Sequence, residues 1–133
     1  MDIYVMMLKL LLAVFLGGLI GLERERRHSA AGLRTHILVC LACTCLTLVT
    51  LDAMPGEVFK IAAGIVTGIG FLGAGTIISH GYKVRGLTTA ASVWAVAIVG
   101  ILTGLGYFIV GMLMTFIMLF VLHFKQVDRY FIQ

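Results

Sequence analysis

Six of the sixteen charged side chains in this 133-residue sequence fall within one short stretch: Glu23, Arg24, Glu25, Arg26, Arg27 and Arg34. Carboxylates and guanidiniums packed this densely can pair with one another. They can also hold an anionic group, or cap the free N–H groups that open a helix. Glu23 and Arg27 are four apart, the favourable order for a helical ion pair. Glu23 or Glu25 is placed to cap the start of the second or the fourth helix, with Thr35 and Thr88 as supporting hydroxyls. The arginines of the cluster, joined by Arg85, then face anionic lipid or a partner protein. The plainer alternative is a solvated loop that only orients the chain in a membrane.

Elsewhere the reactive residues are sparse. Lys9 lies about 9 Å inside the first apolar run and is expected to reach its ammonium out to the surface; pairing with an acid is the other reading. Asp and Glu are absent from the middle of every apolar run, where ion-coupled pumps usually keep them. Magnesium would find only the hydroxyls of Thr44, Thr47, Thr67 and Ser92, with backbone carbonyls, at mid-membrane depth. Cys40 and Cys43 share a helix face, but a lipid-buried pair with no basic neighbour lacks what would activate a thiol. They are read as small packing residues before metal or redox ligands. His28, His36, His80 and His123 fall near one boundary. No nucleophile–base set, phosphate loop or metalloprotease motif occurs, so neither an enzyme nor a bound cofactor is expected.

The elements around the cluster are apolar. The sequence is 61% hydrophobic and 12% charged, with a mean hydropathy of +1.11, against about 25% charged in a soluble domain. The net charge of +4 sits beside apolar runs and without nucleic-acid motifs, so nucleic acid is rejected as a partner and the lipid bilayer is favoured. Five runs emerge, at residues 3–22, 33–51, 58–79, 88–103 and 107–124, near the roughly 17–25 residues of a spanning helix. The predicted fold is an all-α bundle of five transmembrane helices in a single domain, 1–133, without a C-terminal soluble domain. Runs four and five together would be too long for one span, so a break is placed at Thr103-Gly104-Leu105-Gly106. Pro55 ends the second helix, and Lys60 can pair with Glu57.

Eight of the ten basic residues fall in the loop after helix one, the loop at residues 80–87 and the C-terminal tail. The positive-inside rule then places the N-terminus outside and the C-terminus in the cytoplasm. Gly32-Leu33-Arg34-Thr35 and Gly86-Leu87-Thr88-Thr89 open helices two and four alike, which suggests an internal repeat of hairpins 1–2 and 3–4. The glycine pairs Gly17/Gly21, Gly64/Gly68 and Gly100/Gly104 each mark a face for close helix packing, within one subunit or across a homodimer, with the former favoured. Residues 69–76, with Gly73 and Gly75, are poor in bulk, and another helix is expected close by; Gly86 is counted among the close-packing glycines.

Four blocks, GLIGLERE (18–25), AGLRTHILV (31–39), GIGFLGAGT (68–76) and VRGLTTAASVW (84–94), resemble the membrane domain of the MgtC/SapB family. The resemblance implies a bacterial inner-membrane protein linked to growth at low magnesium and to virulence through survival inside macrophages. It implies action by binding other membrane proteins, among them the F-type ATP synthase, with transport of magnesium or another small solute as the alternative. Many members carry a soluble domain after the last helix, which this sequence does not reach. Thr88 stands where some members have asparagine.

Overall fold

The computed structural model describes residues 2–81 and 83–124. Five helices form: α1 (Ile3–Arg26), α2 (Leu33–Ala53), α3 (Val58–Ala74), α4 (Leu87–Leu105) and α5 (Phe108–His123). Asp2 opens α1 by accepting the Tyr4 N–H at 3.1 Å. α1 runs four residues beyond the expected Leu22, because Arg24 and Arg26 at its end favour the helix dipole. It closes with the His28 N–H on the Glu25 carbonyl and the Ser29 N–H on the Arg24 carbonyl. His28 itself takes the left-handed conformation, φ 53°, a position where glycine is favoured. Replacing His28 with glycine is therefore expected to stabilise the fold by about 0.5–1 kcal/mol, readable as a raised unfolding temperature in detergent.

α2 stops two residues before Pro55, and Pro55–Glu57 form a turn of 3₁₀ helix leading into α3. The Lys60 ammonium meets the Glu57 carboxylate at 2.7 Å. α3 ends at Ala74, five residues short of the expected boundary. Beyond it the chain forms an antiparallel pair, β1 (Ile78–His80) and β2 (Lys83–Arg85), with Ile78 opposite Arg85. Glycines at 73 and 75 weaken the helix, and the β-branched Thr76-Ile77-Ile78 run favours extension. α4 is bracketed by Gly86 and Gly106, both at φ +90°, so the break between the last two helices falls where glycine permits it.

α2 packs against both α1 and α4, which also touch each other, and glycines set both approaches. A Cβ at Gly17 would stand 2.8 Å from the His36 carbonyl oxygen, and one at Gly21 2.8 Å from Leu33 Cα. On the α4 side, a Cβ at Gly100 would meet the Cys40 carbonyl oxygen at 2.5 Å, and one at Gly104 would meet Thr47 Cβ at 2.7 Å. Ala13, Leu16 and Ile20 of α1, Val39, Cys40 and Cys43 of α2 and Val93, Val96 and Val99 of α4 share one buried core. Without a hydrophobic drive between helices in lipid, such close backbone contact supplies much of the association energy. Cys40 and Cys43 are buried free thiols in this seam, acting as small packing residues.

α3 and α5 are peripheral. Only Val58 and Gly73 of α3 are buried, and Phe71 is 83% exposed. Gly64 and Gly68 meet no atom within 4 Å, so the close contact expected of them is not made within the subunit. The same is true of Gly70. In the 69–76 segment a Cβ at Gly73 would make ordinary contact with Ala90, while the nearest atoms to Gly75 belong to its own helix end. Among the described residues, four helices are long and apolar enough to cross a membrane. α5, at 16 residues, extends about 24 Å against a hydrocarbon core of about 30 Å. Lys125 and Arg129, counted in the orienting charge, lie outside the described residues.

Candidate functional site

The end of α1, the start of α2, the start of α4 and the end of α5 meet at one end of the bundle. Glu23 is the hub of its ionic contacts. Its carboxylate accepts the Arg24 Nε–H at 2.6 Å and the Arg27 Nε–H at 3.2 Å, the latter from one helical turn away. Arg24 is buried, whereas Arg27 extends to donate to the His123 carbonyl at 3.3 Å, tying α1 to the last turn of α5. Glu25 does different work. Its Oε2 accepts the Leu33 N–H at 2.8 Å and so caps the first turn of α2. A Cβ at Gly32 would occupy the place of that carboxylate oxygen, so a side chain there would displace the cap.

Of the two carboxylates that sequence placed as capping candidates, Glu25 makes the helix-start contact and Glu23 holds arginines. Glu25→Ala is expected to cost about 0.5–1 kcal/mol through the lost cap and the lost charge at a helix start. Glu25→Gln, which keeps an acceptor oxygen, should cost less. Urea or thermal unfolding of the two variants in detergent checks the order.

Beneath this ionic layer lies a buried polar relay that the sequence did not single out. His36 is fully buried; its Nδ1 lies 2.8 Å from the Gly32 carbonyl oxygen and its Nε2 3.0 Å from Ser92 Oγ. The Gly32 carbonyl can only accept, so Nδ1 carries a proton toward it, and the single Ser92 proton is shared between Nε2 and a carbonyl of α4. Ser92 Oγ also lies 2.8 Å from the Thr89 carbonyl, and the Thr89 hydroxyl meets Ser29 Oγ at 3.3 Å. This relay joins the α1–α2 turn, α2 and α4. Its sequence signal was faint: lone polar residues in apolar helices whose partners lie 56 and 60 positions away.

Arg26, Arg34, Arg85 and Thr88 are exposed, and Thr35 is half-buried. Next to Thr88 opens an apolar groove of about 550 Å³ between α4 and α5. Thr88, Ala91 and Ala95 supply its α4 side, and Met114, Met118 and Leu122 much of its α5 side.

Lys9, at the other end, corrects an expectation. It is 6% exposed, and its ammonium donates to the Gly104 carbonyl at 2.8 Å and stands 5.8 Å from the Phe108 ring centre. The negative end of the α4 dipole, not the surface, attracts it. Further down the interior, Thr44 donates toward the Cys40 and Gly100 carbonyls, and Thr47 toward Cys43. Among the described residues no group of three or more His, Cys, Asp or Glu is placed to hold a metal ion.

A family model, the MgtC family, matches residues 10–129. The chain belongs to the MgtC family. It is 50% identical over 101 residues to a protein of Salmonella typhimurium named MgtC, covering 76% of this chain and 44% of that protein. Over 95 residues it is 52% identical to a protein of the same name in Brucella abortus, covering 71% of this chain and 40% of the relative. The chain thus spans less than half the length of these MgtC relatives. No solved structure matches it. Family membership and four long apolar helices together make this a multi-pass membrane protein of MgtC type.

Proposed function

We propose that this MgtC-family chain is a non-enzymatic regulator of the bacterial inner membrane that acts by contact with another membrane protein. In this reading the charged end faces the cytoplasm and the N-terminus lies outside, as the basic residues dictate. The observation that supports it is a division of labour among polar groups. Inside the bundle, the hydroxyls of Thr44, Thr47, Ser92 and Thr103 are engaged by backbone carbonyls or His36. At the charged end, Arg26, Arg34, Arg85 and Thr88 are presented outward. A surface of arginines with no internal task suits recognition of an acidic partner.

The family resemblance supplies the biological setting: adaptation to low magnesium, virulence, and the F-type ATP synthase as the first partner to test. The repeat of hairpins 1–2 and 3–4 belongs to this proposal, as does a homodimer through the open Gly64/Gly68 face of α3.

The test is affinity purification from cross-linked membranes of cells starved of magnesium. ATP synthase subunits recovered with the native chain, and lost with Arg26→Glu and Arg34→Glu together, are the expected result. Recovery that ignores both substitutions would overturn the role given to this surface. Purified protein in liposomes should move no magnesium; saturable uptake would replace regulation with transport.

A further inference from the structure

We propose that the groove between α4 and α5 holds one acyl chain of an anionic phospholipid, with its phosphate at the charged end between Arg85 and Arg27. The groove exists because the two helices touch at one end and part at the other. Gly111 packs within ordinary contact of Thr103, Leu102 and Val99, which brings α5 onto the far part of α4. Toward the charged end α4 offers only Thr88, Ala91, Ser92 and Ala95, and these small side chains leave the space between the helices unfilled. Its volume of about 550 Å³ lies within the roughly 300–1,000 Å³ of ligand sites.

Length argues for an acyl chain over a partner helix. On α5 the lining runs from Val110 to Leu122 and on α4 from Thr88 to Ala95, about 18 Å and about 11 Å of helix. One leaflet of hydrocarbon is about 15 Å deep, half of a ~30 Å core. The groove therefore matches the depth of one leaflet, where a crossing helix would need the full thickness and a channel about 10 Å wide. Its α5 wall includes Met114 and Met118, unbranched side chains that adapt to a flexible occupant.

Charge argues for an anionic headgroup. Leu122 ends the groove, and the next residue, His123, receives the Arg27 guanidinium on its carbonyl. On the other wall, exposed Arg85 ends β2 three residues before Thr88. Glu23 draws part of the Arg27 charge and Glu25 is committed to α2. Even so, the end as a whole carries Arg24, Arg26, Arg27, Arg34 and Arg85 against those two carboxylates. A lipid phosphate at this depth would find two guanidiniums and no unpaired carboxylate of the cluster facing it.

The test uses the full chain, purified in mild detergent, delipidated and offered dioleoyl phosphatidylglycerol or dioleoyl phosphatidylcholine. Retained lipid is read by native mass spectrometry. One phosphatidylglycerol per chain should survive, with phosphatidylcholine retained at least several-fold less. Ala95→Phe, which fills the groove floor, should abolish retention. Ala91→Leu, at an exposed position, gives the same reading should the first variant unfold. Arg85→Gln should weaken retention about fivefold, the scale of one basic residue's attraction to an anionic membrane surface. Equal retention of both lipids, or undiminished retention by a folded groove-filling variant, overturns the proposal. A photo-reactive side chain at Ala91 that captures a protein in membranes, and no lipid, overturns it as well. None of these readouts depends on the identity of a regulatory partner.

Discussion

Gly100→Val is expected to abolish accumulation of folded protein, or to lower its stability by about 3 kcal/mol or more. The first added atom would sit 2.5 Å from the Cys40 carbonyl oxygen and 2.8 Å from Cys43 Cβ. The nearest obstacle is backbone, so no rotamer change relieves it. Nor can α2 retreat without also leaving α1, because the same Cys40 packs against Gly17. Pushing α4 away instead would break the bond from the Thr44 hydroxyl to the Gly100 carbonyl, 2.9 Å long. It would also draw the Gly104 carbonyl from the Lys9 ammonium, leaving a buried charge with a weakened partner. The matched control is Gly68→Val. Beyond its own helix, no atom of the described residues lies within 4 Å of a Cβ at that position, so its stability should change by about 0.5 kcal/mol or less. Thermal unfolding of both variants in the same detergent, followed by loss of monodisperse protein, provides the comparison. A Gly68→Val protein that is as damaged as Gly100→Val would mean that the α3 face is covered in the working assembly.

The contrast between those two glycines shows where sequence reading stops. Gly64/Gly68 and Gly100/Gly104 have the same spacing in similarly apolar helices, so the pattern alone gives each a small-residue face. What separates them is whether a neighbour's backbone lies opposite, which depends on helices far away in sequence. Local signals were more legible. Glycine at 106, proline at 55 and the i,i+4 order of Glu23 and Arg27 each act within a few residues of their effect. The capping of α2 was readable for the same reason, since Glu25 and Leu33 are only eight apart. By contrast, Lys9 finds a carbonyl 95 residues away, and every residue owns a carbonyl. Hydropathy could not separate a helix from a strand across Thr76-Ile77-Ile78, because lipid-facing helices and strands use the same apolar residues.

Gly86→Ala should be the second severe substitution, for a reason that can be divided experimentally. Gly86 sits at φ +90°, in a region that costs an L-residue roughly 1–2 kcal/mol. Its Cβ would also fall on the Thr76 carbonyl oxygen and lie 3.2 Å from Ile77 Cα. The turn binds two helices: the Gly86 carbonyl accepts the Ala90 N–H at 2.8 Å, and Thr76 reaches both the Gly73 and Gly86 carbonyls. Forcing it open would unseat the first turn of α4, and with it Thr89 and Ser92 of the buried relay. Asparagine tolerates the left-handed region better than alanine. If φ were the main cost, Gly86→Asn would restore most of the loss. The clash with Thr76 predicts that it will not. At Gly106, also at φ +90°, the nearest atom to an added Cβ is the Lys9 ammonium at 3.6 Å, so Gly106→Asn should be tolerated. Hydrogen exchange over residues 84–92 reads the outcome directly: rapid exchange in Gly86→Asn and protection in Gly106→Asn would assign the cost at Gly86 to contact with the end of α3.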